Sequence, residues 1–131
     1  MSEDKKDETT GLFAEFKKIL DKFQKVVPML EILTGNEDPS IFLFGKIGEK
    51  GEGYDSIGVF GNRVIGFSFE KDGKTSGFVS RIDSIISVSI EMDQKTISLS
   101  LFDGNIGYNI DVDKGQQDNA KNLIDFIFNR R

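Results

Sequence analysis

The chain has 131 residues, with 17 basic and 22 acidic side chains and a formal net charge of −5. It contains no His and no Cys, which excludes imidazole bases, thiol nucleophiles, disulfides and Cys-based metal sites. The acidic balance argues against a nucleic-acid partner. We expect no metal, no cofactor and no enzymatic activity.

The N-terminal residues 1–8 are almost wholly charged, and we expect a disordered tail over residues 1–10. This segment lacks the apolar stretch behind a basic start that marks a signal peptide. No apolar run approaches the roughly 18–20 residues that span a bilayer. We therefore expect a cytoplasmic protein.

An amphipathic helical region is predicted over residues 11–37, because apolar residues recur there at alternating steps of four and three. Pro28 predicts a kink or a break near Val27, and Thr34-Gly35-Asn36 ends the region. The apolar face that we single out comprises Leu12, Phe13, Phe16, Ile19, Leu20, Phe23, Val26 and Leu30.

Three interpretations of this apolar face remain open. The helix packs on its own domain, associates with the same helix of another subunit, or lies on a membrane surface. Residues 11–27 carry a local charge of +2, from four Lys less Glu15 and Asp21, which suits an anionic membrane. Short patterns of this kind are also common in ordinary helices.

Seven short strands are predicted next. The first four are Ile41–Ile47, Ile57–Phe60, Arg63–Phe69 and Thr75–Ser80, and the last three form a meander from Ile85 to Val112. Apolar and small polar residues alternate through the meander, which indicates antiparallel strands with one apolar face and one serine-rich face. With Asp93-Gln94 as a two-residue turn, Ile90 faces Ile97, although a slip of two residues preserves the alternation.

The last predicted element is a C-terminal helix. Asp113 caps it, with Gln116 completing a capping-box pattern. Its apolar stripe consists of Ala120, Leu123, Ile124 and Ile127. The predicted class is therefore mainly β with helices (α+β): seven antiparallel strands in a bent sheet or partly open barrel, capped by the C-terminal helix.

Residues 40–128 resemble a bacterial pleckstrin-homology-like (PH-like) domain of the YokE-like and GRAM-like kind. The phrases that carry the resemblance are Gly58–Phe67, Phe78–Val88 and Leu99–Gly104. The resemblance implies a domain over residues 38–131 that acts as a non-enzymatic binding or assembly module, in a superfamily whose bacterial members are often oligomeric.

Eukaryotic relatives bind phosphoinositides through basic residues in and around the first loop. The positions nearest to that site are Lys46, Lys50 and Arg63. Glu49, Glu52 and Asp55 are interleaved with them and largely cancel the field that an anionic headgroup needs.

We predict an interaction or assembly module that forms homo-oligomers or docks a protein partner through the helical apolar face. The alternative is a peripheral membrane adaptor, in which Phe13 and Phe16 insert and Lys17, Lys18, Lys22 and Lys25 meet anionic lipid.

Overall fold

The computed structural model describes residues 11–18, 27–45, 53–71 and 74–129. The predicted tail over residues 1–10 lies outside these residues. Residues 11–18 are helical (α1), and a second helix, α2, spans Val27–Thr34. Pro28 therefore lies in the first turn of α2, where its missing N–H leaves no helical hydrogen bond unmade.

The strands form two antiparallel sheets. The first has the order β1-β2-β3-β4, and the second has the order β5-β6-β7. The strands are β1 (Ile41–Phe44), β2 (Ser56–Phe60), β3 (Arg63–Lys71), β4 (Lys74–Arg81), β5 (Ser87–Met92), β6 (Thr96–Phe102) and β7 (Gly107–Asp113). A 3-10 turn at Ile82–Ser84 separates the sheets, and a second at Lys114–Gln116 precedes helix α3, Gln117–Asn129. The α+β class agrees with the prediction.

β1 is buried on both of its faces. Ile41 and Leu43 belong to an inner core that lies between the two sheets and α3. Phe42 points the other way, into an outer core on the far side of the four-stranded sheet. The buried residues of the outer core are Phe13, Phe16, Phe42, Phe60, Ile65 and Phe67. The four-stranded sheet is therefore the middle layer, covered by the second sheet on one side and by α1 on the other.

The two sheets are bonded to each other at one side of the molecule. The Tyr54 N–H donates to the Asn109 carbonyl oxygen of β7 at 2.7 Å. A Cβ at Gly45 would lie 2.6 Å from the Asp111 carbonyl oxygen, and one at Gly53 would lie 2.7 Å from that of Asn109. Glycine at these two positions permits the close approach. At the other side, β4 and β5 are not hydrogen-bonded neighbours.

The meander has the predicted alternation but a different register. Ile90 pairs with Leu99 rather than Ile97, so the predicted pairing is wrong by two residues. The turn is shifted by one residue, to Gln94-Lys95, because the Asp93 N–H pairs with the Thr96 carbonyl oxygen at 3.1 Å. The Asp93 carboxylate stabilises this turn by accepting hydrogen bonds from the N–H groups of Lys95 and Thr96, both at 2.8 Å. The slip keeps every side chain on its predicted face.

The C-terminal helix packs its predicted stripe on the inner core. Ala120 and Leu123 are buried, and Ile124 and Ile127 are partly buried against the core. The predicted capping box is absent: Asp113 makes no side-chain capping bond. No helix within the described ranges is long and apolar enough to cross a membrane.

Gln116 binds β1 instead of capping a helix. Its Nε2 donates to the Phe44 carbonyl oxygen at 2.6 Å, and its Oε1 accepts from the Phe44 N–H at 3.0 Å. Asn119 Nδ2 donates to the Phe42 carbonyl oxygen at 3.3 Å. Phe42 and Phe44 lie in the edge strand of the sheet, so the two amides satisfy backbone groups that no described strand pairs.

Replacing the Gln116 amide tests this arrangement. Gln116→Ala is expected to lower the free energy of unfolding by about 1–2 kcal/mol, because it leaves two partly buried backbone groups without partners. Chemical denaturation measures the change. Gln117→Ala, at the exposed neighbouring position, is the control, and equal losses in the two variants would show that the Gln116 bonds contribute nothing specific.

Candidate interaction surface

The described part of the predicted helical face is turned into the chain's own sheet. Phe13 and Phe16 are 6% and 0% exposed. The Phe13 ring lies 5.0 Å from that of Phe42 and 5.8 Å from that of Phe60. Phe16 packs against Phe42 at 5.2 Å and Phe67 at 6.1 Å. Of the three interpretations, packing of the helix on its own domain is therefore the one that agrees with the positions of these two side chains.

The remaining residues of that face divide into two groups. Leu12 is partly buried against the outer core, as are Met29 and Leu33. Ile19, Leu20, Phe23, Val26 and the side chain of Leu30 lie outside what the structure describes. The outward side of α1 is polar, with Glu15, Lys17 and Lys18 exposed.

Of the three predicted basic positions, the structure describes Arg63. Lys46 and Lys50 lie outside these residues. Arg63 Nη2 lies 3.3 Å from Glu37 Oε1. This exposed pair contributes little to stability, but it places an acidic group beside the cation that a headgroup would need. Arg81 and Asp83, 3.7 Å apart and largely exposed, form an ion pair of equally low weight.

Two hairpin turns of the second sheet are held by aspartates. The N–H groups of Lys95 and Thr96 lower the pKa of Asp93. Those of Ile106 and Asn105, which donate to the Asp103 carboxylate at 2.7 and 2.9 Å, lower the pKa of Asp103. Hydrogen bonds to the ionised form cause both shifts. These aspartates therefore have a structural role in their turns.

An aromatic group joins the two sheets near their bonded side. The rings of Phe78 and Tyr108 stack at 3.8 Å, and Tyr54 meets Phe78 edge-on at 4.9 Å. The Tyr108 hydroxyl donates to Asp103 Oδ2 at 3.3 Å. Burial raises the pKa of both tyrosines, and the nearby Asp103 charge adds to the shift at Tyr108. The group closes one end of the inner core.

The serine face of the meander is an exposed polar surface. Ser87 and Ser89 are exposed, while Ser98 and Ser100 are half-buried among their cross-strand neighbours. His and Cys do not occur in the sequence, and no group of three acidic residues that could hold a metal ion is found within the described ranges. On this surface Ser98 lies between its cross-strand partners Glu91 and Asp111.

The most apolar exposed surface of the described residues lies on β5 and the adjoining end of the second sheet. Ile90 lies on the predicted apolar face of the meander, yet it is 47% exposed, and Met92 beside it is 49% exposed. Their partners across the strand pair, Leu99 and Ile97, are buried. β5 thus presents the core-facing side of the sheet at an edge that no strand of the described ranges covers. Ile86 and Ile106 are exposed at the other end of the sheet from Met92, and Phe102 is exposed there on the serine face.

Sequence alternation could not reveal this exposure, because it reports the face of a side chain and not whether its strand lies at an edge.

Comparisons with protein-family models, with curated proteins and with solved structures find no match to this chain. Its function is therefore inferred from the geometry of its own surfaces.

Removing the Phe16 ring tests the packing of α1. Phe16→Ala is expected to cost about 3–5 kcal/mol of unfolding free energy, as for other fully buried Phe side chains. Chemical denaturation measures the loss of global stability. Faster tryptic cleavage after the exposed Lys17 and Lys18 reports detachment of α1 alone. Glu15→Ala is the control on the exposed side of α1, and similar behaviour of the two variants would contradict the packing.

The tyrosine pKa shifts predict an alkaline transition. A raised pKa means that the folded state favours the neutral phenol, so this stability is complete below about pH 10 and is lost as the pH rises through the raised values. Tyrosinate absorbance follows both groups cleanly, since the chain has two Tyr and no Trp. Tyr54→Phe and Tyr108→Phe assign the two steps. Ordinary titration of both tyrosines in the folded chain would contradict the shifts.

Proposed function

We infer that the chain is a non-enzymatic protein-interaction module, a rigid PH-like frame that docks a protein through the β5 side of its second sheet. The observation that carries this proposal is the distribution of exposed apolar side chains. Of the eight large exposed hydrophobic residues among those described, five lie on or beside the second sheet: Ile86, Ile90, Met92, Phe102 and Ile106. Ile90 and Met92 are alternate residues on the same side of β5, and adjoining exposed apolar side chains of this kind mark an interaction site.

The PH-like part of the proposal is supported by the arrangement of the strands. Four antiparallel strands and then three, in sequence order within each sheet, precede an amphipathic helix packed on the inner core. That sequence of elements is what the resemblance of residues 40–128 implies. Fold alone does not fix a function, so the interaction role depends on the surface of β5.

The non-enzymatic part of the proposal is supported by the titratable groups. The carboxylates with lowered pKa are those of Asp93 and Asp103, and turn hydrogen bonds account for both shifts. The tyrosines with raised pKa belong to the aromatic group that closes the core. Each perturbed group in the described part of the chain therefore has a structural cause.

Site-specific photocrosslinking in the cells that produce the chain tests the interaction. A photoreactive benzoylphenylalanine in place of Ile90 is expected to give a defined covalent adduct with a protein. The same group in place of Ile32 is the control, because Ile32 is 82% exposed but lies on α2. No adduct at position 90, or the same adducts at both positions, would overturn the proposal.

The membrane-adaptor alternative requires apolar side chains of the N-terminal helix to insert into lipid. Its inserting side chains would include Phe13 and Phe16, which are already buried in the outer core. Moving them into lipid exchanges one apolar environment for another and exposes the aromatic surface of the sheet to water. Attraction to anionic lipid supplies only about 1 kcal/mol for each Lys near the surface.

We therefore expect the full chain to remain in the supernatant when it is centrifuged with vesicles of mixed phosphatidylserine and phosphatidylcholine at low salt. Phosphatidylcholine vesicles alone are the control for nonspecific pelleting. Sedimentation with the anionic vesicles that is reversed by added salt would instead favour the adaptor.

A further inference from the structure

Among the described strands β5 is an edge strand paired only with β6, and its other edge offers backbone hydrogen-bonding groups as well as apolar side chains. The Asp93 N–H donates to the Thr96 carbonyl oxygen at 3.1 Å at the turn end of the β5–β6 pair. In an antiparallel pair every second residue is bonded to its partner. Counting back from Asp93 in twos, Ser87, Ser89 and Glu91 direct their backbone groups to β6. Val88, Ile90 and Met92 direct theirs to the open edge.

The residues at this edge define the chemistry of a fitting partner. The partner must supply an extended backbone, because unpaired N–H and C=O groups at a sheet edge pair with another strand. On the core-facing side it must supply apolar side chains at alternate positions, to cover Ile90 and Met92. On the other side it must place no acidic group opposite Glu91.

We propose that the occupant of this edge is β5 of a second copy, paired antiparallel about a twofold axis through Ile90. This proposal rests on the proposed interaction role of β5 and names its partner. The two three-stranded sheets then become one six-stranded sheet across the dimer. A twofold interface requires a self-complementary surface, and β5 satisfies that requirement in one register.

In that register Ile90 faces Ile90, and Val88 of each copy faces Met92 of the other. Val88, Ile90 and Met92 all direct their backbone N–H and C=O groups to the edge. These groups of one strand can therefore form hydrogen bonds with those of the other. On the opposite side each Glu91 faces a Ser89 hydroxyl, which can donate to the carboxylate.

Other antiparallel registers are poorer. Centring the pair on Glu91 brings two carboxylates together and opposes backbone groups that are already bonded to β6. Centring it on Met92 sets Glu91 against Asp93. Centring it on Val88 runs the pairing into the 3-10 turn at Ile82–Ser84, which is not extended. Charge and backbone geometry therefore select the register at Ile90.

Single-cysteine crosslinking tests this register, since the chain has no Cys of its own. Directly opposed residues of a hydrogen-bonded pair have Cα atoms about 5.5 Å apart, within the range that a disulfide spans. Ile90→Cys is therefore expected to form a disulfide dimer rapidly under mild oxidation. Met92→Cys is the matched control: it is equally exposed, but the two copies of residue 92 lie about 14 Å apart along the strands.

A mixture of Val88→Cys and Met92→Cys chains is expected to crosslink, while Met92→Cys alone does not. Wild-type protein is expected to sediment at twice the monomer mass of 14.7 kDa, and Ile90→Lys as a monomer. Equal crosslinking of Ile90→Cys and Met92→Cys would overturn the register. A monomeric wild type, with no crosslink from Ile90→Cys, would overturn the dimer.

The photocrosslinking experiment separates the two proposals. An adduct from position 90 whose mass is that of two chains supports both of them. An adduct with a different protein, together with a monomeric wild type, overturns the β5 dimer and leaves the interaction role standing. The absence of any adduct overturns both.

Discussion

The fold depends on the burial of β1 from both sides. Its four residues alternate between two cores, with Leu43 in the inner core and Phe42 in the outer one, so the strand needs a cover on each face. The second sheet and α3 provide one cover, and α1 provides the other. β1 also lies at the edge of its sheet, where the amides of Gln116 and Asn119 take up its backbone groups. Removing any of these covers exposes either an aromatic surface or unpaired backbone groups to water.

This constraint explains why the N-terminal helix has a structural role in the described part of the chain. The outer face of the four-stranded sheet carries Phe42, Phe60 and Phe67, which would form a large exposed aromatic patch without α1. The amphipathic pattern of residues 11–18 is matched to that patch. Amphipathicity alone does not distinguish a helix that covers its own sheet from one that covers a neighbour or a membrane, because all three bury the same side chains.

Much of the fold could be predicted from the sequence, because strand alternation and the helical stripe of α3 are local signals. The residues of the stripe are those that pack on the core. Three features were not predictable locally. The register of the meander depends on the Asp93 turn, the use of Gln116 depends on the proximity of β1, and the exposure of Ile90 depends on the strand order in space. The continuous apolar run Ile41–Phe44 does indicate burial on both sides, since strands buried on both sides lose their alternation.

The edges of the two sheets differ in how they are protected. β1 is covered by side-chain amides, and β7 receives a hydrogen bond from the Tyr54 N–H. β4 ends at Arg81, which is exposed, and a cation at a strand edge discourages pairing with another chain. β5 has one charged residue, Glu91, whose backbone is bonded to β6. Its edge-directed residues are all apolar, and two of the three are about half exposed.

An edge with this composition is costly to leave in water, and its one carboxylate opposes the registers that would bring acidic groups together. The same features that make β5 a liability in a monomer therefore make it suited to one specific pairing.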